Sequence, residues 1–334
     1  MISEPLGDKR LFYFSRRWAL ALGALVWLTP ISWAQNEWPT KSVRLVVPYV
    51  PGGGADTLGR LASNHLSKVF KQPFVIDNRA GAGGVIGSQA VIKLAPDGYN
   101  LVVSGIGSHV IAPATMSNVY DPLKDFTHIA LLGGPPLVLV VNAELPIKDV
   151  KGFVQYVGTQ ANGLSWGSPG LGTHGHLIGE LLAQTAKINL VHVNYRGGAG
   201  AMGDLMGNQI PAAIVTFSSA SSHIKSGRIR ALAVTSTKRL SAYPEIPTFA
   251  ESGYPNLNAT TWFSLSGPAG MPKDLVDKIN AEVRRGLQAP SVQAQLAFEG
   301  IETGTLDANA FLAFFKTEID RWTPLVRSVE KNKL

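Results

Sequence analysis

Residues 43–56 read VRLVVPYVPGGGAD. Val43, Leu45, Val46 and Val47 form a short apolar run rich in β-branched side chains, the pattern of a buried strand. Pro48 and Pro51 stop it, and Gly52, Gly53 and Gly54 follow as a turn. From Asp56 a helical spacing begins, with Leu58, Leu61, Ala62 and Leu66 on one face. A strand, a glycine turn and a helix start leave free backbone N–H groups at the end of a sheet. With the positive end of the helix dipole behind them, such groups bind carboxylates. The same turn is also an ordinary βα connection, so this segment alone reads either way.

The pattern continues along the chain. Phe74–Ile76 reads as a strand, followed by the glycine-rich stretch 78–84 and a helix through Ala90 and Leu94. Further strands are expected at 101–104, 137–141, 164–166, 190–193, 210–216 and 229–235, with helices between several of them. This βαβα order predicts largely parallel sheets covered by helices. The last third differs: a strand at 262–266 is followed by three helices at 273–288, 290–298 and 308–329, with no further strands expected. Two α/β lobes joined by chain crossings near 142 and 260 fit a chain that has no linker-like tract. The expected division is 1–34 as a signal peptide, 35–141 plus 262–334 as lobe 1, and 142–261 as lobe 2.

The chain has 334 residues, enough for two lobes with sizeable cores. Charged residues are 16% and glycines number 35, which suits many tight turns and argues against disorder. The net charge is +7. The first 34 residues hold four basic and two acidic residues, which leaves +5 for the rest. That excess is not clustered, so nucleic acid is not an expected partner and a mild attraction for anionic solutes is. Lys9 to Arg17, the apolar run Ala19–Leu28 and Ser32-Trp33-Ala34 follow the order of a cleaved export signal, with a mature start near Gln35. Arg16-Arg17 leaves a twin-arginine route as the alternative to Sec export. There is no cysteine, hence neither a disulfide nor a lipoprotein anchor. A free periplasmic protein is expected.

Few motifs of catalysis are present. Residues 170–175, GLGTHG, fit G-x-G-x-x-G after a strand and before a helix, but the next strand ends in Asn194 and Tyr195, with no acid to hold a ribose. The better reading is a second βα anion turn, rich in Ser168, Gly170, Gly172 and Thr173. No phosphate-binding G-x-x-x-x-G-K-[ST] loop, G-x-S-x-G elbow or H-E-x-x-H pair occurs. His174 and His176 are two apart and point away from each other on a helix, so no metal is expected. Ser104, Ser108 and His109 lie at a strand end, where they line a cleft or simply turn the chain. Asp56 reads as a helix cap, a brace for its loop, or a contact to a ligand donor. Arg196 pairs with a carboxylate or is solvated. Trp166 reads as a core aromatic, and Trp262, where the chain crosses back, as a core residue or a cleft wall.

Together these residues resemble the periplasmic solute receptors of the tripartite tricarboxylate transporter family, the Bug receptors. The likeness runs from about Trp38 to Val329 and is carried by an ordered set of motifs. They are VRLVVPYVPGGGADTLGR, FVIDNRAGAGGVIGSQAV, APDGYNLVVSG, YDPLKDF, GSPGLGTHGHLIGELL, VNYRGGAGAMGDLMGNQI, SGRIRALAVTS and YPEIPTFAESGYPN. The resemblance implies a type II periplasmic-binding-protein fold, in which two α/β lobes close on a small carboxylated solute and deliver it to a membrane permease. It implies a carboxylate held by the loops 49–56 and 168–174, with 104–109 lining the cleft. The residues assigned on this basis are Tyr49, Pro51, Gly52, Gly53, Ala55, Asp56, Ser104, Ser108, His109, Ser168, Gly170, Gly172, Thr173, His174, Arg196, Phe217 and Trp262.

The sequence departs from the family pattern in three places. Tyr49-Val50 stands where Phe-Pro is frequent, Arg196 stands for a usual lysine, and Phe217 lies where Asp-Asn is frequent. Phe217 therefore points to an aromatic or less polar solute. The expected role is a non-catalytic, monomeric receptor without cofactor, for a di- or tricarboxylic, aromatic or amino acid. The alternative is an exported sensor partner or an enzyme using the same cleft.

Overall fold

The stretch Val43–Val47 is a strand, β1, with four of its five residues buried. It pairs in parallel with β2 (Phe74–Asn78) on one side and β3 (Asn100–Gly105) on the other. Helix α1 (Gly54–Phe70) joins β1 to β2 and turns Leu58, Ala62 and Leu66 inward. Helix α2 (Val85–Ile92) leads into β3. Both crossovers are the expected βαβ units, because a helix packed on the sheet returns the chain in the same direction. The structure is a computed structural model and describes Met1 and residues 38–331. The expected export segment and its cleavage site lie outside the described residues, Met1 apart.

Beyond β3 come a π-helical turn (Gly107–Ile111), a short helix α3 (Ala112–Thr115) and the long strand β4 (Phe126–Gly134). Two residues later β5 (Leu137–Asn142) begins in a different sheet. Then follow α4 (Val150–Gly158), β6 (Leu164–Ser168), α5 (His174–Ala186), β7 (Leu190–Asn194), α6 (Gly198–Met206), β8 (Ala212–Thr216), α7 (Phe217–Lys225) and β9 (Ile229–Val234). The chain returns as β10 (Phe263–Pro268) and ends with α8 (Lys273–Leu287), α9 (Pro290–Phe298), the two-residue strand β11 (Glu302–Thr303) and α10 (Ala308–Lys331).

The sheets have the orders β11-β4-β10-β3-β1-β2 and β7-β6-β8-β5-β9. Apart from β11 they follow one plan. The first βαβαβ run supplies three parallel strands, then comes a strand that carries the chain over from the other sheet, then one more. The carried-over strands, β10 and β5, run antiparallel to both neighbours. Neither sheet is therefore largely parallel, because a strand entering from outside has no crossover helix to set its direction. β4 and β11 also depart from expectation. The run FTHIALLGG alternates poorly and carries His128 and two glycines, yet it is buried along most of its length. Residues 302–303 pair with the end of β4, where Gly133 carries no side chain that would strike the Glu302 carbonyl.

The first crossing lies at Pro135-Pro136 and not near 142, since all of β5 belongs to the second sheet. A continuous apolar run such as 137–141 is buried in whichever sheet it joins, so its hydropathy does not say which. The return segment runs beside this crossing: Thr260 bridges Pro136, and the Thr261 N–H donates to the Pro135 carbonyl at 3.1 Å. Helix α10 packs on β4 and on α5. Its Glu318 carboxylate accepts from the indole N–H of Trp262 at 2.7 Å and of Trp322 at 3.0 Å. One hydrophobic core accordingly contains Phe153 and Trp166 together with Phe311, Phe315 and Trp322. From Pro39 onward the chain is a single compact unit.

Candidate functional site

Strand ends place helix starts, and here four of them meet. A cavity is lined by Gly53, Gly54 and Ala55 at the start of α1 and by Thr173, His174 and Gly175 at the start of α5. Gly197, Gly198 and Ala199 at the start of α6, and Thr216 and Ser219 at the start of α7, complete the ring. The first N–H groups of a helix have no partner within it. At α1, α6 and α7 the residue before the helix makes no side-chain cap either. Only Thr173 caps its own helix, accepting from the His176 N–H at 3.4 Å. The cavity thus collects main-chain donors and the positive ends of four helix dipoles.

No Lys, Arg, Asp or Glu lines this inner cavity. Its two titratable lining groups are held neutral. Burial pushes the Tyr49 phenol up to about 12, and burial, helped by the Arg321 charge, pushes His174 down to about 3. His174 Nδ1 shares a hydrogen bond with Thr261 Oγ1 at 2.9 Å, and its Nε2 has no partner. Tyr49 donates to the Gly83 carbonyl at 3.3 Å and meets the Phe263 ring edge-on, at 6.1 Å between centroids. Phe263 in turn lies directly behind the first turn of α1. A methyl group on Gly54 would come within 3.2 Å of its ring and 3.1 Å of Pro135, so the three pack tightly there.

A wider cavity shares Tyr49, Val50, Pro169, Thr173 and Gly197 with the inner one. Gly170, Leu171, Arg196 and the turn 80–84 form the rest of its rim. At the boundary the Val50 side chain rests on Gly197, whose φ of +130° and close neighbour both exclude a side chain.

The assigned residues fall into three groups. Tyr49, Pro51, Gly53, Ala55, Thr173 and His174 line the inner cavity, and Gly170 and Arg196 the outer one. Asp56, Gly52, Ser168 and Gly172 stand behind these walls. Asp56 is buried and braces the first loop. It accepts from the Gly52 N–H at 3.1 Å, from Arg60 Nε at 2.9 Å and from Asn78 Nδ2 at 3.0 Å. These bonds outweigh the cost of burial and hold its carboxyl below the usual range. Ser168 bonds to His192 Nε2 at 2.7 Å, and the Gly172 N–H points to His176 Nδ1 at 3.4 Å.

The third group is turned into the core. Ser104 bonds to Ser264 Oγ and Ser266 Oγ at 2.6 and 2.7 Å, across the β3–β10 pair. Ser108 and His109 sit in the π-helical turn, bonded to each other at 2.9 Å. The His109 ring is enclosed by Tyr120, Phe126, His128 and Phe315. Of the stretch 104–109 only Gly107 reaches the cavity. Phe217 is fully buried against Tyr243, because the first turn of α7 rotates it away from the cavity and leaves Thr216 and Ser219 there. Trp262 likewise faces Glu318 and Phe315, while its neighbours Thr261 and Phe263 line the cavity. The wall residues not assigned from sequence include Leu137, Pro169, Gly198, Thr216, Ser219, Thr261 and Phe263.

The family model for the tripartite tricarboxylate transporter family receptor matches residues 58–331. The chain belongs to that family. Among curated proteins this receptor is 33% identical to Protein BugT of Bordetella pertussis, over 87% of this chain and 90% of the relative. Among solved structures, an R. palustris protein with adipate is 32% identical with a TM-score of 0.84, covering 88% of this chain and 98% of that one. MatC from Rhodopseudomonas palustris with bound malate is 30% identical with a TM-score of 0.81, covering 86% and 100%. The fold is that of these proteins and of the periplasmic binding protein BugD, which is 31% identical with a TM-score of 0.83, covering 88% of this chain and 99% of that one. Among the described residues no helix is long and apolar enough to cross a membrane, and no group of acidic or histidine side chains is arranged to hold a metal.

Proposed function

We propose that this periplasmic solute-binding receptor captures a small carboxylated solute in the inner cavity. The carboxylate is held by main-chain N–H groups at the starts of α1, α5, α6 and α7. The observation that carries this reading is the convergence of those four helix starts on a cavity without a single ionised side chain. An anion there gains donors from both sheets, so a bound solute favours the state in which the two sheets' faces approach each other. The two strand crossings at 135–136 and 260–262 form the pivot, with lobe 1 on the side of β1 and lobe 2 on the side of β6. The export signal delivers a free monomer to the periplasm, and the loaded receptor docks on the membrane permease of a tripartite tricarboxylate transporter. The family, one of transporter receptors, supports binding without turnover.

Thermal-shift screening of mono-, di- and tricarboxylates, aromatic acids and amino acids, each beside its neutral amide, tests the proposal. At least one acid is expected to raise the melting temperature while its amide does not. A panel in which amides stabilise as well as acids contradicts carboxylate capture. Conversion of a bound acid to product, seen by NMR, contradicts the receptor role.

A further inference from the structure

Much of the inner cavity's lining is apolar. Tyr49, Val50, Pro51, Leu137, Pro169 and Phe263 form it, spread over both sheets. The polar side chains that interrupt them, such as Thr216, Ser219 and Thr261, are neutral. A carboxylate buried without a partner is strongly disfavoured. The four helix starts satisfy one such group; for a second the inner cavity offers no charged side chain, only the hydroxyls of Thr216, Ser219 and Thr261 and the His174 imidazole. The one cation on either rim is Arg196, which is exposed and lines the outer cavity alone. Bulk water and salt screen a charge in that position.

We infer that the inner cavity selects acids carrying a single negative charge on an uncharged, apolar body, with Phe263 and Tyr49 as the wall that receives it. The inference rests on the carboxylate-receptor reading and narrows it. It separates this chain from the neighbours solved with adipate and with malate, both of which carry two carboxylates. The neutral state of His174 and Tyr49 supports it, since neither offers a charge near pH 7. Phe263 acts here as a specificity residue: its ring packs closely on Gly54 and Gly105, where a Cβ would come within 3.2 and 2.9 Å of it.

Isothermal titration of the purified receptor with hexanoate, adipate and benzoate tests this. Hexanoate and adipate share a six-carbon chain and differ by one terminal carboxylate. Hexanoate and benzoate are expected to bind at least roughly 100-fold tighter than adipate. Phe263→Leu keeps an apolar wall but loses the ring face. It is expected to weaken benzoate by about 10-fold more than it weakens hexanoate, and equal losses for the two acids overturn the assignment of the ring face. Adipate binding as tightly as hexanoate overturns the inference while leaving the carboxylate receptor intact. Absence of binding by all three at millimolar concentration overturns the inference, and if the broader panel of acids is also silent, the receptor reading falls with it.

Discussion

The two sheets contribute unequally to the site. The first sheet offers one helix start, α1, and most of the aromatic surface, Tyr49 and Phe263. The second offers three helix starts, α5, α6 and α7. The supports differ as well. The loop before α1 is braced by charge, through Asp56, Arg60 and Asn78. The loop before α5 is braced by hydroxyl groups, Ser168 with His192 and Thr173 with the Gly170 carbonyl. Most donors on one side and most of the ring surface on the other give a bound acid a direction.

Breaking the charged brace is expected to do the most. Asp56→Ala leaves Gly52, Arg60 and Asn78 without their acceptor, at a cost of about 2 kcal/mol in stability and a loss of acid binding of at least roughly 30-fold. A chemical melt and a calorimetric titration read the two effects. The same bonds set a pH dependence. The folded carboxyl of Asp56 titrates below its unfolded value, so its contribution is present above the unfolded value and is lost as pH falls through the folded one.

Gly197→Ala places a methyl group against Val50 at a φ of +130°. It should hold the two faces apart and weaken acid binding by about 10-fold, with a stability loss of about 1 kcal/mol. Unchanged affinity would show that Val50 and Gly197 need not meet. The buried histidines give a smaller, graded effect. His128 is pushed down to about 4 by burial, and His174 to about 3. Between those values and the ordinary histidine range the unfolded chain binds more protons than the folded one. Stability therefore falls as pH drops below about 6.5, by on the order of 1 kcal/mol per pH unit for each histidine. Melting curves from pH 7 to pH 5 check this, and a flat profile would contradict the buried neutral state. Arg196→Ala should matter least, within about 3-fold at physiological salt, because its charge is exposed and screened.

The same contrast explains what could be read from residues alone. The first jaw is legible because prolines and three glycines mark the turn, and GLGTH marks the start of α5 in the same way. The start of α7 carries no such mark. Strand β8 passes directly into the helix at Thr216–Phe217, so the inward side chains, Thr216 and Ser219, are hidden beside a more conspicuous phenylalanine. Ser104, His109 and Trp262 show the complementary error. Position at a strand end says which end of the sheet a residue occupies, but its face depends on register with β10 or on a π-helical turn. Neither is encoded locally. The crossing at Pro135-Pro136 was masked for a related reason, since the fully buried β5 looks the same in either sheet.

The central claim is that main-chain donors from both sheets hold one carboxylate. Hydrogen exchange read by mass spectrometry, with and without saturating benzoate, tests it most directly. Slower exchange is predicted together at 53–57, 174–177, 198–201 and 217–220, with the first segment and the last three protected at one benzoate concentration. Protection confined to a single sheet's segments, or none in these four while benzoate is bound, would contradict it.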